Sequence, residues 1–152
     1  MILADQEWVV ILNPFAGKKK AAKHKDQIFK LLDKFKISYK PFLTEYVGHA
    51  IELTKKLIEE GHRKFIGIGG DGTMNEIVNG FFQQTVVNPS EVVLAFIPVG
   101  NGNDWSRTVG IPHDYEEAIK TIKTGSFFLH DVGKVTYQQN GNRNVRYFAN
   151  IA

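Results

Sequence analysis

The run Trp8–Leu12 (WVVIL) is apolar at every position and rich in β-branched residues. A strand sends successive side chains to opposite faces, so a run without polar interruption must be covered on both. A parallel sheet with helices on each side meets that demand. The rest of the chain supplies the parts. Ala21, Ile28, Leu31, Leu32 and Phe35 recur at helical spacing, and Tyr39–Leu43 reads as a second strand. Ala50, Leu53, Leu57 and Ile58 mark a second helix closed by Gly61, before a short strand at Phe65–Ile68. Met74, Ile77, Val78, Phe81 and Phe82 form the next helical stripe, and Val92–Ile97 is a buried strand that Pro98 ends. Tyr115, Ala118, Ile119 and Ile122 mark a last helix, stopped by Gly125. This alternation predicts an α/β fold, a Rossmann-like parallel sheet with helices on both faces. Residues 1–125 form that unit. Beyond it, Phe127–Tyr137 and Val145–Ile151 read as strands joined by the polar stretch Gln138–Asn144, so residues 126–152 are expected to be a β-hairpin that begins a second, β-rich domain.

Three glycine-containing loops follow strands: Asn13–Gly17 (NPFAG), Gly69–Thr73 (GGDGT) and Pro98–Asp104 (PVGNGND). In an open parallel sheet such loops share the carboxyl edge, where the ligand crevice lies. Glycine allows positive φ and brings backbone N–H groups close to an anion, and a helix starting near Thr73 aims its positive dipole end there. A polyphosphate fits this convergence; each loop alone is also explained as a tight turn. Asp71, between two glycines, would repel phosphate directly, which points to Mg²⁺ or a water between them, or else to a helix cap. Thr73 and Glu76 have capping-box spacing. Asn101, Asn103 and Asp104 suit phosphate, ribose or hydroxyl binding, and equally the capping of a helix through Trp105 and Arg107.

Other classes are excluded. The chain has no cysteine, which removes disulfides and thiolate sites and is compatible with a reducing cytoplasm. A net charge of +3 is too small to argue for nucleic acid but suits an anionic ligand or membrane surface. No apolar run approaches the roughly 20 residues of a membrane span, so membrane contact would be peripheral. Lys18–Lys20, Lys23 and Lys25 beside the first loop steer a nucleotide, meet anionic lipid or form a solvated face. Neither a Walker-type G-x-x-x-x-G-K-[ST] loop nor a G-x-S-x-G elbow occurs.

The ordered set of motifs resembles the catalytic domain of diacylglycerol kinases, which includes sphingosine, ceramide and bacterial lipid kinases. NPFAG resembles N-P-x-x-G, Thr44 with Gly48-His49-Ala50 resembles T-x-x-x-G-H-A, and Gly69–Gly80 (GGDGTMNEIVNG) resembles the family signature. PVGNGNDWSRTVGIP resembles P-x-G-T-x-N-D-F-A-R-x-L-G-I-P, with Asn101 in place of the usual Thr, and weaker likeness continues through Asp131-Val132-Gly133. The resemblance implies ATP- and Mg²⁺-dependent phosphorylation of a lipid hydroxyl. It implies nucleotide contacts from Asn13, Pro14, Phe15, Ala16, Gly17, Thr44, Gly69, Gly70, Asp71, Gly72, Thr73, Gly100 and Asn101, with Asn103 shaping the same cleft. Asp71 (through water), Asp131 and Asp104 are the implied metal-network and catalytic carboxylates. It also implies a further domain carrying the general base, so these residues alone are expected to bind nucleotide and turn over slowly. An NAD kinase-like enzyme sharing GGDG, or a non-catalytic nucleotide-binding module, are the competing expectations.

Overall fold

A computed structural model describes residues 6–149. The expected alternation is present: β1 (Trp8–Leu12), α1 (Ala16–Lys34), β2 (Tyr39–Leu43), α2 (His49–Glu59), β3 (Lys64–Gly69), α3 (Asp71–Gln83) and β4 (Val93–Pro98). A short α4 (Asp104–Thr108) and α5 (Tyr115–Thr124) follow, then β5 (Gly133–Gln139) and β6 (Asn142–Phe148). The first four strands form one parallel sheet in the order β2-β1-β3-β4.

The alternating geometry of a strand assigns each residue of WVVIL its helix. Val9 and Ile11, with Phe65, pack against Ala50, Leu57 and Ile58 of α2 and Ile77 and Phe81 of α3. Val10 and Leu12, with Ile66, Ile68 and Ile97, pack against Ala21, Ile28 and Leu32 of α1 and Ile119 of α5. Both faces are covered, as the apolar run requires. Pro41 lies in β2, an edge strand, where a missing N–H costs no ladder bond on the open side. From β1 the chain crosses outward to β2, and from β3 it crosses the other way to β4. The direction reverses between β1 and β3, and an open α/β sheet binds its ligands at that reversal.

The second sheet departs from expectation at its bounds. Residues 126–132 are irregular, and the first strand starts at Gly133 rather than Phe127. Phe127, Phe128 and Leu129 find no ladder partner and stand exposed beside β4, lining a groove of about 680 Å³ with Val92–Phe96 and Trp105. The second strand is Asn142–Phe148, and the remainder of the expected Val145–Ile151 strand reaches beyond the described residues. The turn is two residues long, not seven: Asn140 (φ 51°) and Gly141 (φ 77°) both take the left-handed conformation that a type I′ hairpin needs.

One amide holds the hairpin on α3. Asn79, 2% exposed, donates from Nδ2 to the Tyr147 carbonyl (2.8 Å) and accepts at Oδ1 from the Tyr147 N–H (3.0 Å). It offers the strand the same pair of bonds a neighbouring strand would. Phe82 stacks on the Tyr147 ring at 4.9 Å.

Candidate functional site

Asn13, the first residue after β1, ties two loops together. Its Oδ1 accepts from the Phe15 N–H (3.0 Å), and its Nδ2 donates to Thr73 Oγ1 (3.2 Å) across the reversal between β1 and β3. Thr44, after β2, donates its N–H to the Leu12 carbonyl (2.9 Å) and is 5% exposed. Asn13, Phe15, Thr44, Tyr46, Val47, Ala50, Thr73 and Glu76 enclose a cavity of about 280 Å³.

The loop after β4 reaches the loop after β1 backbone to backbone. A Cβ on Gly17 would lie 3.1 Å from Gly100 Cα, and both residues have positive φ (61° and 122°). At Gly17 a Cβ would be crowded by Gly100 and Lys20, whereas at Gly100 it would meet ordinary contacts (3.5 Å to Gly17 Cα) and the positive φ is what favours glycine. Lys18 and Lys19 continue the left-handed turn (φ 56° and 69°), and regular helix begins after them. The chain accepts that strain, about 1–2 kcal/mol per non-glycine residue, directly beside the rim.

The GGDG loop differs from expectation in two ways. Positive φ falls at Gly17, Gly48 and Gly100 and at none of Gly69, Gly70 and Gly72; Gly69 is instead required for space, because the Thr73 side chain occupies the volume of its missing Cβ. The helix starts at Asp71 rather than near Thr73, and Thr73–Glu76 is not a capping box. The Thr73 hydroxyl is engaged by Asn13. Glu76 reaches the neighbouring helix, accepting from the Gly48 N–H (2.8 Å) and the Ala50 N–H (3.2 Å) at the start of α2. Three-residue spacing fits a local box, but the carboxylate instead meets two N–H groups at the start of α2.

Asp71 has a similar long-range partner. Its carboxylate accepts from the Asp104 N–H (3.0 Å) and the Trp105 N–H (3.3 Å), so it caps α4 rather than its own helix. Each oxygen keeps a lone-pair direction for a water or cation. Asn103 is buried at 2% exposure with φ 57°, and its Nδ2 donates to the Gly100 carbonyl (3.1 Å), which shapes the loop from within. Asn101 is exposed and its carbonyl accepts from Arg107 Nη2 (3.1 Å), while Arg107 Nη1 lies 3.6 Å from Asp104. Arg107 is therefore a local brace.

Asp131 is exposed, its carbonyl accepting from His130 Nδ1 (2.7 Å), and no hydrogen bond or ion pair joins it to Asp71 or Asp104. Among the described residues no group of three or more His, Asp or Glu side chains is arranged to hold a metal directly. The donor set around Asp71 fits a cation held through water.

Tyr46 was not singled out from sequence. It occupies a variable position of T-x-x-x-G-H-A, and only an exposed aromatic between two motif residues signalled it. Its ring stacks on His49 (4.5 Å between centroids, 7° between planes), its hydroxyl donates to Glu52, and His49 Nδ1 accepts from the Glu45 N–H (3.0 Å). The bond to Glu52 holds the phenol above its ordinary pKa, so Tyr46 stays neutral.

The family model described as the diacylglycerol kinase catalytic domain matches residues 7–135. A diacylglycerol kinase of Staphylococcus saprophyticus is 32% identical over 143 residues, 94% of this chain and 43% of that protein. A diacylglycerol kinase of Staphylococcus aureus is likewise 32% identical over 143 residues, covering 94% of this chain and 42% of its own length. The crystal structure of a diacylglycerol kinase from Bacillus anthracis superposes with a TM-score of 0.65 at 28% identity, covering 90% of this chain and 45% of that one. The chain thus spans less than half the length of these relatives.

Proposed function

The chain belongs to the diacylglycerol kinase catalytic domain family, and from that premise we propose that it forms the nucleotide-binding part of a lipid kinase, gripping the phosphates of Mg·ATP at the carboxyl rim of the β2-β1-β3-β4 sheet. The γ-phosphoryl group goes to a lipid hydroxyl such as that of diacylglycerol, at a site completed by the remaining length typical of the relatives. The single observation that carries the reading is the meeting of loops from different strands: Asn13 bonded to Thr73, and Gly17 against Gly100.

Phosphoryl transfer passes through a loose transition state, so a protein accelerates it by positioning and by stabilising charge. The unpaired N–H groups at the start of α3 and its dipole face the phosphates. Gly17 and Gly100 let the loops after β1 and β4 close on each other beside the place where the triphosphate must approach. Asp71, fixed in place by two N–H groups of α4, would hold the Mg²⁺ that accompanies ATP through water, and that ion would neutralise charge on the phosphates. Asn103 keeps the Gly100 loop in the shape that permits this, and by the family resemblance Asp131 would join the same water network. Peripheral contact with a lipid surface brings the acceptor hydroxyl to the rim.

The test is thermal unfolding of the chain with and without Mg·ATP. A ligand at about 100 times its Kd stabilises the fold by about 2.7 kcal/mol, a shift of several degrees at this size. Asp71→Asn should weaken the shift given by Mg·ATP more than that given by ATP in excess chelator. No shift with either nucleotide form, at millimolar concentration, would remove the nucleotide assignment.

A further inference from the structure

Resting on the nucleotide reading, we propose that Phe15 and Tyr46 form an aromatic clamp for the purine ring and so set base specificity at this site. Phe15 is 57% exposed and Tyr46 51% exposed, and both line the cavity that also holds Asn13, Thr44 and Thr73. Large apolar side chains left in water beside a cavity mark a ligand surface when they are held still, since mobile ones would lose conformational freedom on binding.

Tyr46 is held still. His49 covers one face of its ring, and Glu52 takes its hydroxyl. About half of its surface remains exposed, which leaves room for a second ring. The Phe15 backbone is anchored, with its N–H on Asn13 Oδ1 and its position just before α1. Both aromatics therefore hang from loops of the same rim, Phe15 from the loop after β1 and Tyr46 from the loop after β2. Flat π-faces bind every base, and the larger purines gain more than pyrimidines. At about 280 Å³ the cavity lies just below the range of roughly 300–1,000 Å³ usual for pockets that enclose a whole drug-sized ligand, which suits a base while the phosphates extend along the rim.

Calorimetric titration separates base from phosphate. The intact chain is titrated with Mg·ATP, Mg·CTP and Mg·tripolyphosphate, for the wild type and for Tyr46→Ala, Phe15→Ala and Tyr46→Phe. Removal of a stacking ring should raise the Kd for Mg·ATP about tenfold or more, and leave Mg·tripolyphosphate within about twofold. Tyr46→Phe keeps the ring and should keep most of the ATP affinity, and the preference for ATP over CTP should shrink in both alanine variants. Equal ATP affinity in wild type and both alanine variants would overturn the clamp while leaving the nucleotide reading intact. An equal loss of tripolyphosphate binding would also overturn it, since the rings would then act only through the loop backbone. If the wild type binds neither ATP nor tripolyphosphate, the clamp falls together with the nucleotide reading.

Discussion

The parallel sheet and the hairpin share α3 but are held to it by different means. Against the sheet, α3 places fully buried Ile77 and Met74 into continuous apolar layers, and β1 and β3 are buried along their whole length. Against the hairpin it offers the Asn79 amide, the Phe82 ring and the edge of the Met74 and Val78 cluster, on which Tyr147 packs only partly buried, and no residue of β5 or β6 is buried. Apolar layers resist any local opening because all their contacts are lost together, whereas a hairpin held by one paired amide and partly buried contacts can open on its own. The rim that gathers the loops thus stands on the rigid part. The hairpin is the element free to adjust.

The largest expected effect breaks the rigid side. Phe65 is wholly buried and meets Phe81 edge to face at 5.1 Å. Phe65→Ala should cost about 3–5 kcal/mol in urea unfolding, from lost burial and the cavity left behind. A cost below about 1 kcal/mol would mean that the sheet is no more cooperative than the hairpin, and the contrast would fail.

Next comes the joint itself. Asn79→Leu keeps the volume near that of the amide but leaves the Tyr147 N–H and carbonyl without their partner, at about 1–3 kcal/mol. Hydrogen exchange should speed up across β5 and β6 while the amides of β1 and β3 keep their protection. Equal acceleration in both sheets would show that the two regions open as one unit.

What sequence could reveal follows the same division. The sheet was legible because its central strands β1 and β3 are covered on both faces, so burial wrote uninterrupted apolar runs such as WVVIL and the alternation gave the topology. The convergence of NPFAG, GGDGT and PVGNGND at one rim followed from strand direction alone. Partners chosen across the fold were not legible. Glu76 sits three residues after Thr73 and suits a local box, yet it serves α2; Asp71 suits its own helix, yet it serves α4. Local spacing fixes where a carboxylate starts, not which N–H it reaches. The apolar Phe127–Leu129 looked like a strand for the same reason, since hydrophobicity signals burial or contact but supplies no ladder partner.

Glu76→Gln tests the joint between α3 and α2 in the rigid part. The amide retains one acceptor oxygen and turns an NH₂ toward the second N–H, so one of the two bonds is lost. The cost should be about 1–2 kcal/mol in global unfolding, because the released donors are partly buried and the acceptor is charged. A matching acceleration of exchange in both α2 and α3 is expected, with the hairpin no more affected than the rest. Exchange confined to α2 would place that helix outside the rigid unit.

The smallest global effect should come from the hairpin turn. Gly141 has φ 77°, with nothing within 4 Å of the position a Cβ would take, so Gly141→Ala meets no clash and only the backbone penalty of a left-handed alanine. That penalty, about 1 kcal/mol, is large for a two-stranded hairpin and local to it. If the hairpin opens before the sheet unfolds, the strain is relieved in the opened form and never enters the global transition. The urea midpoint should then stay where it is in the wild type, while amides of β5 and β6 exchange about fivefold faster, the ratio that 1 kcal/mol gives. A midpoint shift matching the full penalty would require the hairpin to unfold together with the sheet, and the division between a rigid rim and an adjustable hairpin would have to be abandoned.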